Sequence, residues 1–436
     1  MNRKRHFFII TLVLLNVYTL FSQDWKNFNT NNSPLINNQV RSVCIDKNGI
    51  KWFGTDKGLN SFDGVNWNTF VCDEFLSENK IYDIIFEESE FGNTLWLATE
   101  KGVSLFDVTL DSVTCLETYQ SGNSGLISNN VVTAAIDTGK VKWFGTDSGI
   151  STFNGESWNS YSINDYLMSN KVQCIASAKD GWNYLGTYDQ GVNRISLDAF
   201  DVVTTASPYD TQWSGLASDN VLSAFIDFEG IKWFGTDKGV SRHEGDETKE
   251  NWTTYKIEDG LVHNVVQAIN QDHNFEMWFG TPAGVSCSDG ATWETFDSTS
   301  GLNGNYVYDI AVDSDGSIWV GTNAGISHYV GNNSSVKAFE TAETISNFDL
   351  KCYPNPFNNR TKFKYSLHKE NSVLLKIYDI MGREVRTLID EHQSPGEKSV
   401  DWNGKDNMGN DLPSGVYIYR MNAGSLNFAN RILLIK

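Results

Sequence analysis

Basic side chains and histidine are scarce through most of this 436-residue chain. Between residues 23 and 344 only Arg41, Arg194 and Arg242 carry a guanidinium. The histidines are dispersed. His263 falls in a loop, His273 beside a turn, and His243 and His328 on separate strand-like runs. A general base must lie within hydrogen-bonding reach of the proton it takes, so this scatter weighs against acid–base turnover. The six cysteines, Cys44, Cys72, Cys115, Cys174, Cys287 and Cys352, include no C-x-x-C pair, which leaves no clustered ligand set for zinc. Asp313-Ser314-Asp315-Gly316 and Asp406 to Asp411 lack the glutamate that completes an EF-hand loop. No metal or cofactor is expected. Beyond Phe7 to Phe21 there is no run of 18 apolar residues, and no long amphipathic helical pattern appears in the repeat region.

What is present begins with Arg3-Lys4-Arg5, the apolar segment Phe7 to Phe21, and Ser22 before Gln23. This is the order of a secretory signal, giving 1–22 as a signal peptide. A soluble exported protein with no membrane span is expected, secreted or at the cell surface by way of the periplasm. The formal charge is -20, but residues 23–344 alone hold 44 acidic against 18 basic residues. A surface that acidic repels nucleic acid and anionic lipid.

One short run recurs seven times: Trp52-Phe53-Gly54-Thr55, Trp96-Leu97-Ala98-Thr99, Trp143-Phe144-Gly145-Thr146, Tyr184-Leu185-Gly186-Thr187, Trp233-Phe234-Gly235-Thr236, Trp278-Phe279-Gly280-Thr281 and Trp319-Val320-Gly321-Thr322. The spacing is 41 to 49 residues, a period that marks one supersecondary unit repeated. Each unit reads as four short strands. An apolar run such as Val40 to Asp46 or Val265 to Asp272 leads through an Asn/Asp/Gly turn into the Trp-Phe-Gly-Thr strand. A third strand follows, then an aromatic pair three apart, as in Trp67/Phe70, Trp158/Tyr161, Trp252/Tyr255 and Trp293/Phe296. Four strands per unit of about 45 residues predict an all-β, seven-bladed β-propeller over 23–333. The seventh unit lacks its aromatic pair, while Trp25-Lys26-Asn27-Phe28 stands unattached at the other end; this strand is expected to close the ring, with Val336 to Phe339 the competing candidate. Cys44 occupies the place of Ala135 and Phe225 in other units, which suggests a buried thiol rather than a disulfide. Between units runs Leu-x-x-Asn, as in Leu126 to Asn129, with Asp219 replacing the Asn once. Its polar residue is expected to cap backbone groups.

The turns after the second strand place Asp56, Glu100, Asp147, Tyr188, Asp189, Asp237 and Asn323 around one rim. They are the candidate ligand-binding residues, for a cation, an amine or sugar hydroxyls, although each also suits a hairpin turn. The departures from the repeat are Ala98, Tyr184, the extra residue at Tyr188-Asp189, and Pro282. They direct attention to the rim beside blades four to six.

The combination Gly-Leu-x-x-Asn-x-Val, an Asp/Gly turn, then Trp-Phe-Gly-Thr-x-x-Gly-(Val/Ile)-Ser resembles the two-component regulator propeller repeat. That family supplies periplasmic sensor regions of hybrid histidine kinases; no kinase-like segment follows the repeats in this sequence.

After a linker at 334–348, residues 349–436 change texture: six strand-like runs in under 90 residues suggest a small Ig-like β-sandwich. Tyr353-Pro354-Asn355-Pro356, Ile377 to Val385 with Gly382, Leu412 to Tyr417 with Gly415, and Ile432 to Lys436 resemble the type A C-terminal sorting domain of type IX secretion cargo. The resemblance implies a Bacteroidota cell, the type IX secretion machinery as partner, and removal of this segment on delivery.

The expected function is a secreted or surface-displayed propeller that binds a glycan or envelope protein as a monomer, without turnover. Two alternatives stand beside it. One is a polysaccharide or lactone lyase. The other is an extracytoplasmic ligand-sensing partner of a separate membrane kinase.

Overall fold

The structure is a computed structural model. It describes residues 25–71, 80–89, 92–108, 113–197, 203–245, 251–330 and, with short gaps, 351–435. The first 24 residues, with the expected signal peptide, lie outside the described residues, as do Cys72, Asn79, the linker at 334–348 with Val336 to Phe339, and Asn355, Pro356 and Gly382.

The chain is all-β. Seven four-stranded antiparallel sheets follow one another in sequence, and their innermost strands pack side by side in a closed ring. These strands are Val40–Ile45, Ile81–Ser89, Val131–Ile136, Val172–Ser177, Val221–Ile226, Ala268–Gln271 and Val307–Val312, for blades one to seven. The Trp-Phe-Gly-Thr runs are the second strands, buried throughout in blade one, for example. Trp25–Phe28 is the outermost strand of blade seven, with Trp25 opposite Tyr329 and Phe28 opposite Ile326. Blade six starts its first strand later than the pattern suggests, at Ala268. Its Val266 N–H donates instead to the carbonyl of Thr236 in blade five, 2.9 Å away.

Two recurrent contacts explain why this sequence folds so. The first is the second-strand glycine. A Cβ on Gly54 would lie 2.7 Å from Ile81 Cγ2, on Gly186 2.7 Å from Val221 Cγ1, on Gly280 2.6 Å from Val307 Cγ1, and on Gly321 2.7 Å from the Val40 carbonyl. Each glycine is the floor on which the next blade's inner strand rests.

The second is an Asp–Trp staple. Asp46 accepts from the N–H groups of Asn48 and Ile50, and its other oxygen accepts from Trp52 Nε1 at 3.2 Å. Asp137 with Trp143, Asp227 with Trp233 and Asp272 with Trp278 repeat the arrangement, and Glu87 serves Trp96. One carboxylate thus holds the hairpin turn and satisfies the buried indole N–H. Blade seven breaks the staple. Asp313 pairs with Lys51 of blade one at 2.6 Å, and His328 stacks on Trp319 with 4.0 Å between ring centroids. Burial pulls the His328 pKa down to about 4, so the ring packs as a neutral imidazole.

The Leu-x-x-Asn polar residue caps the loop that precedes it. Asn129 Oδ1 accepts from Ser121 N–H, Asn170 from Ile163, Asp219 from Thr211 and Asn264 from Ile257, at 2.7 to 2.9 Å. Among the described residues, Cys44, Cys174, Cys287 and Cys352 are free thiols.

The C-terminal segment is a two-sheet sandwich. A three-stranded sheet of Lys351–Tyr353, Thr361–Leu367 and Gly396–Trp402 faces a four-stranded one of Glu384–Gln393, Asn371–Tyr378, Gly415–Ala423 and Leu426–Leu434. Phe363, Leu375, Ile377, Trp402 and Leu434 form its core. The last strand starts at Leu426, earlier than the apolar run from Arg431 suggests, because it forms a hairpin that pairs Ala423 with Leu426 and Gly415 with Leu434.

Two predictions follow from these contacts. Gly280→Ala must displace Val307 and should cost about 1–3 kcal/mol in urea unfolding. Gly122→Ala, with nothing within 4 Å of its Cβ, should stay near wild type; equal stability of the two variants would refute the wedge. In blade six, Glu276 takes the turn position held by Ile50, Val141 and Ile231 elsewhere. Burial, then Asp272, then Asp289 and Glu294, push its pKa up to about 7. A carboxyl raised in the fold favours the folded state at low pH and loses that advantage as pH rises from its unfolded value through 7. Glu276→Gln should therefore be more stable than wild type at pH 8, by about 1 kcal/mol after discounting for solvent screening of a half-exposed group, with the gap closing towards pH 4.5. A pH-independent gap would contradict the assignment.

Candidate functional site

The inner strands bring one residue per blade to the mouth of the ring. In each blade it follows the buried valine or isoleucine: Arg41, Tyr82, Val132, Gln173, Leu222, Gln267 and Tyr308, all half-buried. Their neighbours hold them. The Arg41 guanidinium lies between the rings of Tyr308 and Tyr82, 4.9 and 5.7 Å from the centroids, and donates to both Asp56 oxygens. Burial opposes its charge, but the Asp56 carboxylate holds its pKa above the ordinary value. Tyr308 donates to Gln39 Oε1 at 2.8 Å, and Gln39 donates to the Asn323 carbonyl at 2.9 Å. Gln267 reaches Tyr306 Oη at 2.6 Å, and Gln173 donates to Asn220 and the Val221 carbonyl.

The rim carboxylates do not converge. Asp56 is taken by Arg41. Glu100 accepts from Tyr82 at 3.1 Å and pairs with Lys80 at 3.5 Å. Asp147 accepts from Ser128, Asn130 and Ser148; against the effect of burial, these bonds lower its pKa. Asp237 sits half-buried in its turn, with one oxygen lacking a partner among the described residues. Tyr188 and Asp189 stand exposed on blade four, and Asn323 N–H donates to the Tyr306 carbonyl at 3.0 Å. Among the described residues, no group of three His, Cys, Asp or Glu side chains is placed to hold a metal ion.

The turns themselves are uniform. In six blades the threonine hydroxyl donates to the glycine carbonyl three residues on, as Thr55 does to Gly58 at 2.8 Å, and accepts from the N–H two residues on. Pro282 leaves this pattern unchanged. In blade four the extra residue shifts it: Thr187 donates to Gly191 and accepts from Gln190. Tyr184 has no indole N–H, and Ala178 stands where the staple aspartate would be. Arg194 replaces both, over the rings of Trp182, Tyr184 and Tyr209.

Below the mouth, two channel carboxylates clasp neighbouring inner strands. Asp309 of blade seven accepts from Val43 N–H of blade one at 2.8 Å, and Asp83 of blade two accepts from Ala134 N–H of blade three at 2.8 Å. Enclosure raises both pKa values, that of Asp309 to about 7. His243 and His328 lie on the third strands of blades five and seven, His328 two strands outward of Asp309 in the same sheet.

The repeat pattern points to the rim turns and not to Arg41, Tyr82 and Tyr308. Aligning the repeats on the buried first-strand valine would have exposed them, since the next residue differs in every blade except for the shared Tyr and Gln pairs. In the C-terminal sandwich, Tyr417 is buried and donates to the Pro413 carbonyl at 2.9 Å. Gly415 opens the strand that carries it, and Tyr353 ends the first strand. Pro354 accepts from the Thr361 hydroxyl at 2.7 Å.

Comparison with known proteins agrees with this architecture. Residues 301–324 match the two component regulator propeller family, and residues 358–426 match the FlgD Ig-like domain. Among curated proteins, Histidine kinase P4 of Formosa agariphila is 22% identical over 271 residues, which is 58% of this chain but 19% of that protein. Among solved structures, the extracellular domain of the hybrid two-component system BT3049 from B. thetaiotaomicron superposes with a TM-score of 0.60 at 18% identity, over 94% of this chain and 57% of that one. PorZ of Porphyromonas gingivalis, a surface component of the type-IX secretion system, gives 0.55 at 15% identity, over 92% of this chain and 60% of PorZ. The chain therefore spans about a fifth of the curated relative and somewhat over half of each solved chain. What the solved structures share with it is the fold; the two component regulator propeller match is confined to 301–324 and the Ig-like match to 358–426.

Proposed function

We infer that this protein is an exported recognition propeller that binds a glycan or an envelope partner at the mouth and rim of the ring. One observation carries the reading. Seven blades with near-identical cores differ at the half-buried position facing the mouth, where Arg41, Tyr82, Val132, Gln173, Leu222, Gln267 and Tyr308 stand. A scaffold that repeats its core and varies one face presents a surface for recognition. The likeness to extracellular sensor domains supports an extracytoplasmic site of action. The basic and apolar N-terminal segment supports export, and the motifs in 349–436 support delivery by the type IX machinery.

A second reading, a ligand-carrying partner of a separate membrane kinase, is favoured by the likeness to a histidine kinase and to the extracellular domain of a two-component system. Co-purification from envelope fractions separates it from a free-standing binder.

The full chain is expected to show saturable binding on a broad glycan and cell-surface panel. Absence of saturable binding to every component would remove the glycan version. In a Bacteroidota host, a version truncated after residue 348 should accumulate in the periplasm while the full chain reaches the surface or medium. Equal export of both would refute the sorting role.

A further inference from the structure

Blade four departs from the others in a concerted way. In the loops leading into blades six and seven, the residue before the motif leucine is Gly260 or Gly301, at φ of 128° and 122°. The loop into blade four has Tyr166 there, held at φ 80°. A left-handed backbone is strained for an aromatic residue and tends to persist where function retains it. A second departure makes room for it. At Gly125, Gly215, Gly260 and Gly301 a Cβ would come within 2.3 to 2.9 Å of an outer-strand tryptophan: Trp158, Trp252, Trp293 and Trp25. The outer strand of blade four, Val203–Tyr209, has no tryptophan, as is also true of Val113–Tyr119 in blade two. The Tyr166 side chain does not fill the vacated space, for the residue is 75% exposed.

Two more exposed aromatic residues lie in the neighbouring turn and loop. Tyr188, in the lengthened turn of blade four, is 53% exposed, with Lys171 Nζ 5.1 Å from its ring centroid. Trp213, in the loop into blade five, is 68% exposed, and its backbone N–H donates to Asp210 Oδ1 at 2.6 Å. Twelve of the 14 tryptophans serve the repeat strands or the C-terminal core; Trp182 and Trp213 are the remainder, and both border blade four. The blade-four turn ties the two loops together. Tyr188 N–H donates to the Lys171 carbonyl at 3.0 Å, and Gly191 N–H donates to the Asp219 carbonyl at 2.9 Å. The three aromatic residues therefore share one sector of the rim.

We propose that this sector is a platform for an uncharged polysaccharide chain, with Tyr166, Tyr188 and Trp213 stacking on sugar faces. It rests on the recognition reading above and names its site and ligand class. Aromatic rings open to water and carrying a polar tip suit a ligand that is apolar on its C–H face and hydroxylated at its edge. Exposed Asp189 and Gln190 follow Tyr188 in the same turn and can take hydroxyl groups. The excess of 26 negative charges over residues 23–344 disfavours an anionic polymer. These polar residues interrupt the apolar surface, unlike the contiguous patch of a protein-docking face.

The test is affinity electrophoresis of the full chain in gels cast with neutral glucan, mannan, xylan or galactan, and with polygalacturonate as the anionic control. At least one neutral polymer should retard the protein. Trp213→Ala and Tyr188→Ala should each weaken that retardation about ten-fold, with unchanged melting temperature. Tyr166→Gly should weaken it too while raising the melting temperature by about 1–3 °C, because backbone strain is relieved. Retardation that Trp213→Ala leaves intact overturns the platform and spares the recognition reading. No retardation by any neutral polymer overturns both the platform and the glycan version. Retardation by polygalacturonate alone, or capture of an envelope protein through these residues without any polysaccharide binding, overturns the platform.

Discussion

The ring depends on one close approach, that of a valine or isoleucine at the head of each inner strand to the bare backbone of the preceding blade's second strand. At Gly54, Gly145, Gly186 and Gly280 the space a Cβ would take is filled by a side chain of the next blade. A methyl group there pushes the blades apart, and the error accumulates round a closed ring in a way that an open stack would absorb. Blade two tolerates Ala98 in this place, buried against the next inner strand, so the constraint is on volume and is met once by a residue one methyl larger. At the seam between blade seven and blade one the same contact recurs, with Gly321 against Val40 and Val43. The seam is then reinforced by the Lys51–Asp313 pair and by Phe28 of blade seven packed on Phe62 and Trp67 of blade one. A buried pair of this kind adds direction more than stability, since desolvating both charges offsets much of their attraction.

This constraint sorts the residues into those free to vary and those that are not. The second-strand core, the staple aspartate and the turn threonine each satisfy a buried donor or fill a fixed volume, so they recur. Where one half of the staple is lost, the other half goes too. Blade four has neither the tryptophan nor the aspartate, and Arg194 over three aromatic rings takes their place. Freedom remains at the mouth, in the turn after the second strand and in the loops between blades. Asymmetry in function must be written there.

The number of blades, the second strands and the outer aromatic strands were legible because the period and the Trp-Gly-Thr run are local signals. Trp25-Lys26-Asn27-Phe28 was readable as an outer strand for the same reason, and its equivalence to the others is visible in the way Trp25 lies on Gly301 as Trp158 lies on Gly125. The late start of the first strand in blade six was not legible, since the diverted partner of Val266 belongs to blade five. The candidate site was legible only in part. Rim carboxylates could be named from turn positions, but their partners come from other strands. Asp56 meets Arg41 across 15 residues and Asp147 meets Ser128 across 19, pairings that no local pattern encodes. Tyr166 was hidden by the same limitation: its strain shows only when its φ is set beside those of Gly260 and Gly301.

The channel completes the argument about where a ligand can sit. A passage lined by free carboxylates would invite cations into the axis. Here Asp309 and Asp83 each spend an oxygen on the backbone N–H of a neighbouring inner strand, and the other oxygen on the next N–H of their own strand. Both positions face the second-strand glycine or its alanine substitute, where the other blades carry Ser42, Thr133, Cys174, Ser223 and Ala268. At this position Ser223 also reaches the next blade, its hydroxyl donating to the Val266 carbonyl at 3.1 Å, and the aspartates extend that kind of contact. With Arg41 wedged between Tyr82 and Tyr308 above them, the axis beside blade one is occupied by the protein's own groups. Outward of that wedge, on the rim at blade four, Tyr188 and Asp189 are open to solvent, and Tyr166 is exposed at a positive φ.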